Sequence, residues 1–166
     1  MPAKPRILVI RRRYLGDIVL LGSVFHNLRL HWPEAHITLL AEQGYAPIGL
    51  LHADLNRVRA FPQALSNWVK FCREIRHEKF THVLDFDNTD KTALVTRLSG
   101  AAVRVTYDRE TNPFRHRWLY TGRATITDEF YTSQHITETY LKLLEPVGVP
   151  AVSRAIKLTP REPELA

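Results

Sequence analysis

Asp17 closes the stretch Arg11-Arg12-Arg13-Tyr14-Leu15-Gly16-Asp17, which lies between the apolar runs ILVI and IVLLGSVF. A carboxylate near the start of a helix is favoured in its ionised form by the backbone N–H groups and the helix dipole, by about 0.3–1 kcal/mol. So placed, it can take a proton from a substrate hydroxyl. Gly16 lets a substrate approach the backbone, and Arg11, Arg12 and Arg13 can hold an anionic substrate beside the base. The plainer alternatives are an ordinary acid in a first helical turn and a solvated strand end. A phosphate cradle is excluded. The turn carries one glycine and matches neither G-x-G-x-x-G nor G-x-x-x-x-G-K-[ST]. An acid ~4 Å from a phosphate charge also repels it by roughly 4 kcal/mol at an effective dielectric near 20.

A second acidic turn reads VLDFDNTDKT, in which Asp85, Asp87 and Thr89 spell D-x-D-x-T. That pattern resembles the haloacid-dehalogenase-like phosphatases, where one aspartate is the nucleophile, the other an acid/base, and both hold magnesium. Such enzymes carry the motif on their first strand and add a later lysine and a downstream acidic pair. Here it follows the fourth strand, and Asp128-Glu129 falls in a segment without a strand end to aim it. The eight histidines form no H-x-x-x-H or H-E-x-x-H pair, and Cys72 is the sole cysteine, so no metal site and no internal disulfide are argued. Trp118 and Tyr120, interleaved with Arg115 and Arg117, could grip a nucleic acid or sugar phosphate, or form an aromatic pair beside solvated arginines.

The elements that must carry these turns alternate. Residues 6–11 read as a strand, and Ile18, Leu21, Phe25 and Leu28 recur at helical spacing up to Pro33. Strands follow at 36–41, 57–61, 82–86 and 103–107, with helices at 45–52, 65–79, 90–100 and 135–148 between and after them. In the 65–79 helix, Leu65, Trp68, Val69, Cys72 and Ile75 are expected on the buried face. Gly100 suits a left-handed helix end, and 108–133 reads as irregular. Parallel strands need crossover connections, so the alternation predicts an α/β fold with a mostly parallel, doubly wound sheet. Ligands then collect at the carboxyl ends of the strands, where both acidic turns lie.

With 166 residues, 45% of them hydrophobic, the chain is about one domain long and can bury a core. Its 23 Lys and Arg against 17 Asp and Glu leave a net charge of +6, which favours an anionic partner without choosing one. The N-terminus has too short an apolar run for a signal peptide, and no stretch approaches the ~20 apolar residues of a membrane span. A single cysteine fits a reducing compartment, with the cytosol as default.

Taken in order, RILVIRRRYLGDIVLLGSVFHNLRLHWPEAHITLL, HADLNRVRAF, THVLDFDNTDKTALVTRLSGAAVRVTYDRE and HITETYLKLLEPVGV resemble the N-terminal half of the lipopolysaccharide heptosyltransferases, glycosyltransferase family nine, and most of all the heptosyltransferase III branch. The resemblance implies a Rossmann-like sheet, the acceptor-side half of a GT-B glycosyltransferase, over 1–150, with 151–166 a linker or frayed tail and the donor-binding domain absent. It implies inverting transfer of heptose from ADP-heptose to the inner core of lipopolysaccharide, without a required metal or cofactor, and no transfer by the 166 residues alone. Asp17 matches the family's L-G-D aspartate, its proposed general base. Acceptor contacts fall on Arg11, Arg12, Arg13, Gly16, Asp87, Asn88 and Lys91, although relatives often carry Ser, Thr or Lys at the positions of Arg12 and Arg13. The implied setting is cytoplasmic, peripheral to the inner membrane, with no nucleic-acid partner. The rival from another class is a non-catalytic domain that binds anionic glycolipid or nucleic acid through the basic segment 104–123.

Overall fold

A computed structural model describes residues 4–111 and 116–159. In chain order the elements are β1 (Arg6–Ile10), α1 (Leu15–Leu20), α2 (Gly22–His31), β2 (His36–Ala41), α3 (Ala46–Gly49), β3 (Arg57–Ala60), α4 (Trp68–His77) and β4 (His82–Asp85). They continue with α5 (Asp90–Leu98), β5 (Val103–Arg109), β6 (Gly122–Ile126), α6 (Asp128–Ser133) and α7 (Ile136–Lys142). The strands make one sheet in the order β3-β2-β1-β4-β5-β6, every pair parallel. This is the doubly wound, Rossmann-like arrangement expected from the alternation.

Burial on both faces explains why β1 reads as an unbroken apolar run. Side chains alternate across a strand, so Ile7 and Val9 join Val24, Phe25 and Leu28 of α2 and Tyr140 and Leu141 of α7 on one face. Leu8 and Ile10 meet Phe71 and Ile75 of α4 and Val95 of α5 on the other. Gly100 takes φ 72°, the left-handed helix end anticipated for it.

Three local expectations are corrected. The helix read up to Pro33 is two helices, α1 and α2, which meet at Leu21. Helix α4 starts at Trp68 after a 3-10 turn over Leu65–Asn67, and its buried pair is Phe71 and Ile75, four residues apart. Trp68 and Cys72 flank that pair half-buried, whereas Leu65 is 84% and Val69 73% exposed. The helix phase puts Val69 roughly opposite Phe71, because two residues span about 200° of a 3.6-residue turn. Lastly, the segment read as irregular holds the end of β5, the sixth strand β6 and α6. Strand β6 lies at the sheet edge and buries only Ala124 and Ile126 fully, so no apolar run announces it.

Residues 151–159, assigned from sequence to a linker or frayed tail, run along the domain as a strap. Asn27 accepts the backbone N–H groups of Val152 and Ser153 and donates to the Ser153 carbonyl. Farther on, Leu158 bridges His52 and the Thr159 N–H reaches the Leu51 carbonyl. Among the described residues no helix is long and apolar enough to cross a membrane.

Candidate functional site

In the order 3-2-1-4-5-6 the chain leaves β1 toward one edge of the sheet and β4 toward the other, which opens a crevice between their carboxyl ends. The two acidic turns are therefore neighbours, and side chains bind them together. The Arg11 guanidinium donates to the Phe86 carbonyl (2.8 Å), pairs with Oδ2 of Asp17 and lies 3.4 Å from Asp87. The backbone N–H of Arg12 donates to Oδ2 of Asp87 at 2.8 Å.

Asp17 sits in the first turn of α1, as expected, behind an N-cap residue, Tyr14, whose side chain makes no capping bond. Both oxygens of Asp17 are held by side chains: Oδ2 by Arg11, and Oδ1 by the Tyr140 hydroxyl, which donates at 2.6 Å from α7. Burial and the bond to Asp17 push the Tyr140 phenol well above its ordinary range, so it stays a donor. The preceding Tyr14 takes φ 71°, a region that non-glycine residues rarely occupy. Beside Gly16 there is open space.

Asp85 builds the second turn rather than facing a substrate. It is fully buried, accepts the N–H groups of Asp87 (3.0 Å) and Asn88 (3.1 Å), and receives the Tyr120 hydroxyl at 2.5 Å. Burial raises its pKa despite these bonds. Asp87 is pushed up to about 6, first by burial and then by the charge of Asp85. The D-x-D-x-T pattern is thus used structurally at Asp85 and Thr89, whose hydroxyl caps α5 on the Thr92 N–H. Among the described residues no three His, Cys, Asp or Glu side chains converge on a metal position.

A cleft of about 230 Å³ opens below this network, lined by Arg11, Asp87, Asn88, Tyr107, Arg109 and Tyr140 among others. Several buried polar atoms of its lining have no partner among the described residues: Asn88 Oδ1, the Tyr107 hydroxyl, Arg109 Nε and Thr139 Oγ1. Buried polar groups are ordinarily hydrogen-bonded, so this concentration marks a place where a ligand or water completes the set.

Of the residues singled out from sequence, Arg11, Asp17, Asp87 and Asn88 converge around the crevice. Arg12 and Arg13 turn away to Glu42, at 2.5 and 3.0 Å. Lys91 sets its ammonium over the Trp68 and Phe61 rings, 4.6 and 5.4 Å from their centroids. Sequence reasoning missed Tyr140, Tyr107, Arg109 and Thr139, which carry no local motif. In the basic segment, Arg117 and Arg123 pair with Asp108 at 3.3 and 3.2 Å, and Arg104 donates to the Ala101 and Leu119 carbonyls. Trp118 is 75% exposed, and Arg115 lies outside the described residues.

An all-parallel sheet with polar turns gathered at its switch point defines an α/β protein of the Rossmann-like class, with the switch-point crevice above β1 and β4. No protein-family model matches the chain. Among curated proteins it is 23% identical over 145 residues to lipopolysaccharide heptosyltransferase 3 of Escherichia coli, covering 82% of this chain and 41% of that protein. Among solved structures it superposes on a glycosyl transferase family 9 protein from Veillonella parvula with a TM-score of 0.78, at 20% identity over 98% of this chain and 47% of that one. Against E. coli heptosyltransferase WaaC with ADP the TM-score is 0.71, at 24% identity over 91% of this chain and 51% of the other. Against E. coli ADP-heptose lps heptosyltransferase II it is 0.67, at 21% identity, with 92% and 41% covered. The resemblance to lipopolysaccharide heptosyltransferases read from the sequence therefore holds in both sequence and fold, and the sheet is that of the GT-B heptosyltransferase structures. The chain spans about two fifths of the curated relative's length.

Proposed function

We propose that these residues form the acceptor-binding domain of an inverting glycosyltransferase that moves heptose from ADP-heptose to the inner core of lipopolysaccharide. The observation that supports it best is Asp17, held by Arg11 and Tyr140, two residues that line the cleft, in a chain similar to heptosyltransferases. In this reading the acceptor sugar enters the cleft and sets one hydroxyl against Asp17. The carboxylate takes the hydroxyl proton as the oxygen attacks the anomeric carbon of the donor. A new C–O bond forms with inversion, the bond to the diphosphate breaks, and ADP leaves with the electron pair. Arg11 and Tyr140 hold the carboxylate in one orientation through the step.

The donor would sit on a second domain C-terminal to this one, so the 166 residues alone bind acceptor and transfer no sugar. The setting is the cytoplasmic face of the inner membrane, where the acceptor is anchored. Calorimetry with inner-core oligosaccharide tests the binding: saturable uptake by the chain is expected, and none would sink the reading. Supplying a heptosyltransferase donor domain in trans tests the chemistry. Any transfer restored that way should vanish with Asp17→Asn, and turnover by the chain alone would contradict the division of labour.

A further inference from the structure

On the sheet face opposite α2 and α7, helices α4 and α5 leave an open groove of about 600 Å³ lined by Trp68, Val69, Cys72 and Leu94 with Leu98 at its far end. The apolar side chains are not covered: Val69 is 73%, Leu94 50% and Leu98 41% exposed, and Leu65 one turn before Val69 is 84% exposed. Large apolar side chains grouped in this way on a surface mark an interaction site.

The rim is cationic. Arg73, Arg76 and Arg97 line the same groove, and among the described residues none of them has an ion-pair partner. The carboxylates in and directly after α4 turn the other way, Glu74 to Arg59 at 2.6 Å and Glu78 to Arg59 as well. Asp90 at the start of α5 is taken by His116 at 2.8 Å. An apolar floor with an unneutralised arginine rim is complementary to a bilayer surface bearing anionic headgroups, which supplies acyl chains and negative charge together. A second copy fits poorly, since a twofold interface sets the same patch against itself and brings arginine toward arginine.

We infer that the α4–α5 groove is the surface by which this protein docks on an anionic lipid bilayer. Both helices begin at the carboxyl end of the sheet, so the groove starts at Trp68, directly under Lys91, and runs down from the edge of the crevice. A lipid-anchored acceptor held there has its sugar within reach of the cleft; that clause rests on the proposed function, whereas the docking does not.

Sedimentation with vesicles tests the inference. The 166-residue chain should sediment with vesicles of phosphatidylglycerol and phosphatidylcholine in equal parts and stay in solution with phosphatidylcholine alone. Val69→Glu with Leu94→Glu, and separately Arg73→Glu with Arg97→Glu, should each weaken binding by about tenfold or more, since each cation near an anionic surface is worth roughly fivefold. These side chains are exposed, and an unchanged melting midpoint confirms that the variants fold. The inference is overturned if the chain ignores both vesicle types, binds both equally, or binds as well after either double substitution. It is also overturned if light scattering shows a dimer that Val69→Glu with Leu94→Glu disperses while vesicles are not bound. Failure to bind the lipid-free oligosaccharide would sink the proposed function and leave the vesicle result standing.

Discussion

The Tyr140 hydroxyl meets Oδ1 of Asp17 at 2.6 Å across 123 residues of chain, while Arg11, six residues before Asp17, holds the other oxygen. One carboxylate thereby ties the residue that follows β1, helix α1 and α7 together beside the cleft. Tyr140 also stands edge-on to Phe86 and under the Arg11 guanidinium, so its ring is locked by packing on both sides.

Tyr140→Phe removes the bond and keeps the ring. Loss of about 1 kcal/mol of stability is expected in urea titrations. In a transfer assay with the donor domain supplied, kcat should fall by about tenfold with acceptor KM within about twofold, since orientation of the base is what is lost. A rise in KM with kcat unchanged would assign Tyr140 to substrate binding instead.

Asp17→Asn keeps an acceptor for Tyr140 and removes the proton-accepting charge. The same assay should lose roughly 10²–10⁴-fold, the range of general-base contributions, while oligosaccharide affinity stays within about threefold. Turnover close to that of the unmodified chain would remove Asp17 from the chemistry.

Asp87 supplies a pH signature. Its folded pKa, about 6, lies above the ordinary 3.8 because burial and Asp85 disfavour its charge. A folded state that binds the proton more tightly than the unfolded chain is favoured at low pH. The Asp87 contribution is therefore fully present below about pH 4 and is lost as pH rises to about 6. Asp87→Asn should flatten that part of the stability curve, by up to about 3 kcal/mol, in denaturation midpoints measured across the window. Identical curves for both proteins would place the titration elsewhere.

Tyr120→Phe strips one of the donors from the fully buried Asp85. A buried acceptor that loses a partner costs about 1–3 kcal/mol, so a lower denaturation midpoint is expected without change in oligosaccharide affinity. Equal loss of affinity would mean that the second turn moves with it.

The Tyr107 hydroxyl is buried in the cleft lining without a partner among the described residues. Tyr107→Phe should leave stability within about 0.5 kcal/mol, since no bond is broken, yet weaken oligosaccharide binding about threefold to tenfold where the acceptor completes that hydroxyl. Unchanged binding would place the acceptor outside the cleft.

Much of this architecture was legible along the chain. The run RILVI announced a strand, Gly100 a left-handed helix end, and the alternation of strands and helices a parallel sheet. These signals are local: side-chain period and backbone preference act within a few residues. Strand β6 escaped because an edge strand with exposed Arg123 and Thr125 needs no apolar run, and Val69 was misplaced because Phe71 and Ile75, four residues apart, set the buried face of α4. The arginine run shows the same limit. Its charge was evident, but Glu42, about thirty residues on, claims Arg12 and Arg13 and leaves Arg11 to the crevice.

By itself, then, the sequence determined the elements, the two acidic turns and their place at the carboxyl ends of the strands. Only the tertiary structure decided which acid is held by residues of the cleft lining and which builds a turn. Asp17 lies in the first turn of the helix that follows β1 and Asp85 is the last residue of β4; Tyr140 and Arg11 hold the first partly exposed, whereas Tyr120 and two backbone N–H groups hold the second fully buried. That division depends on α7 and the 117–120 segment arriving over the sheet from far along the chain, a matter of packing that no local period records.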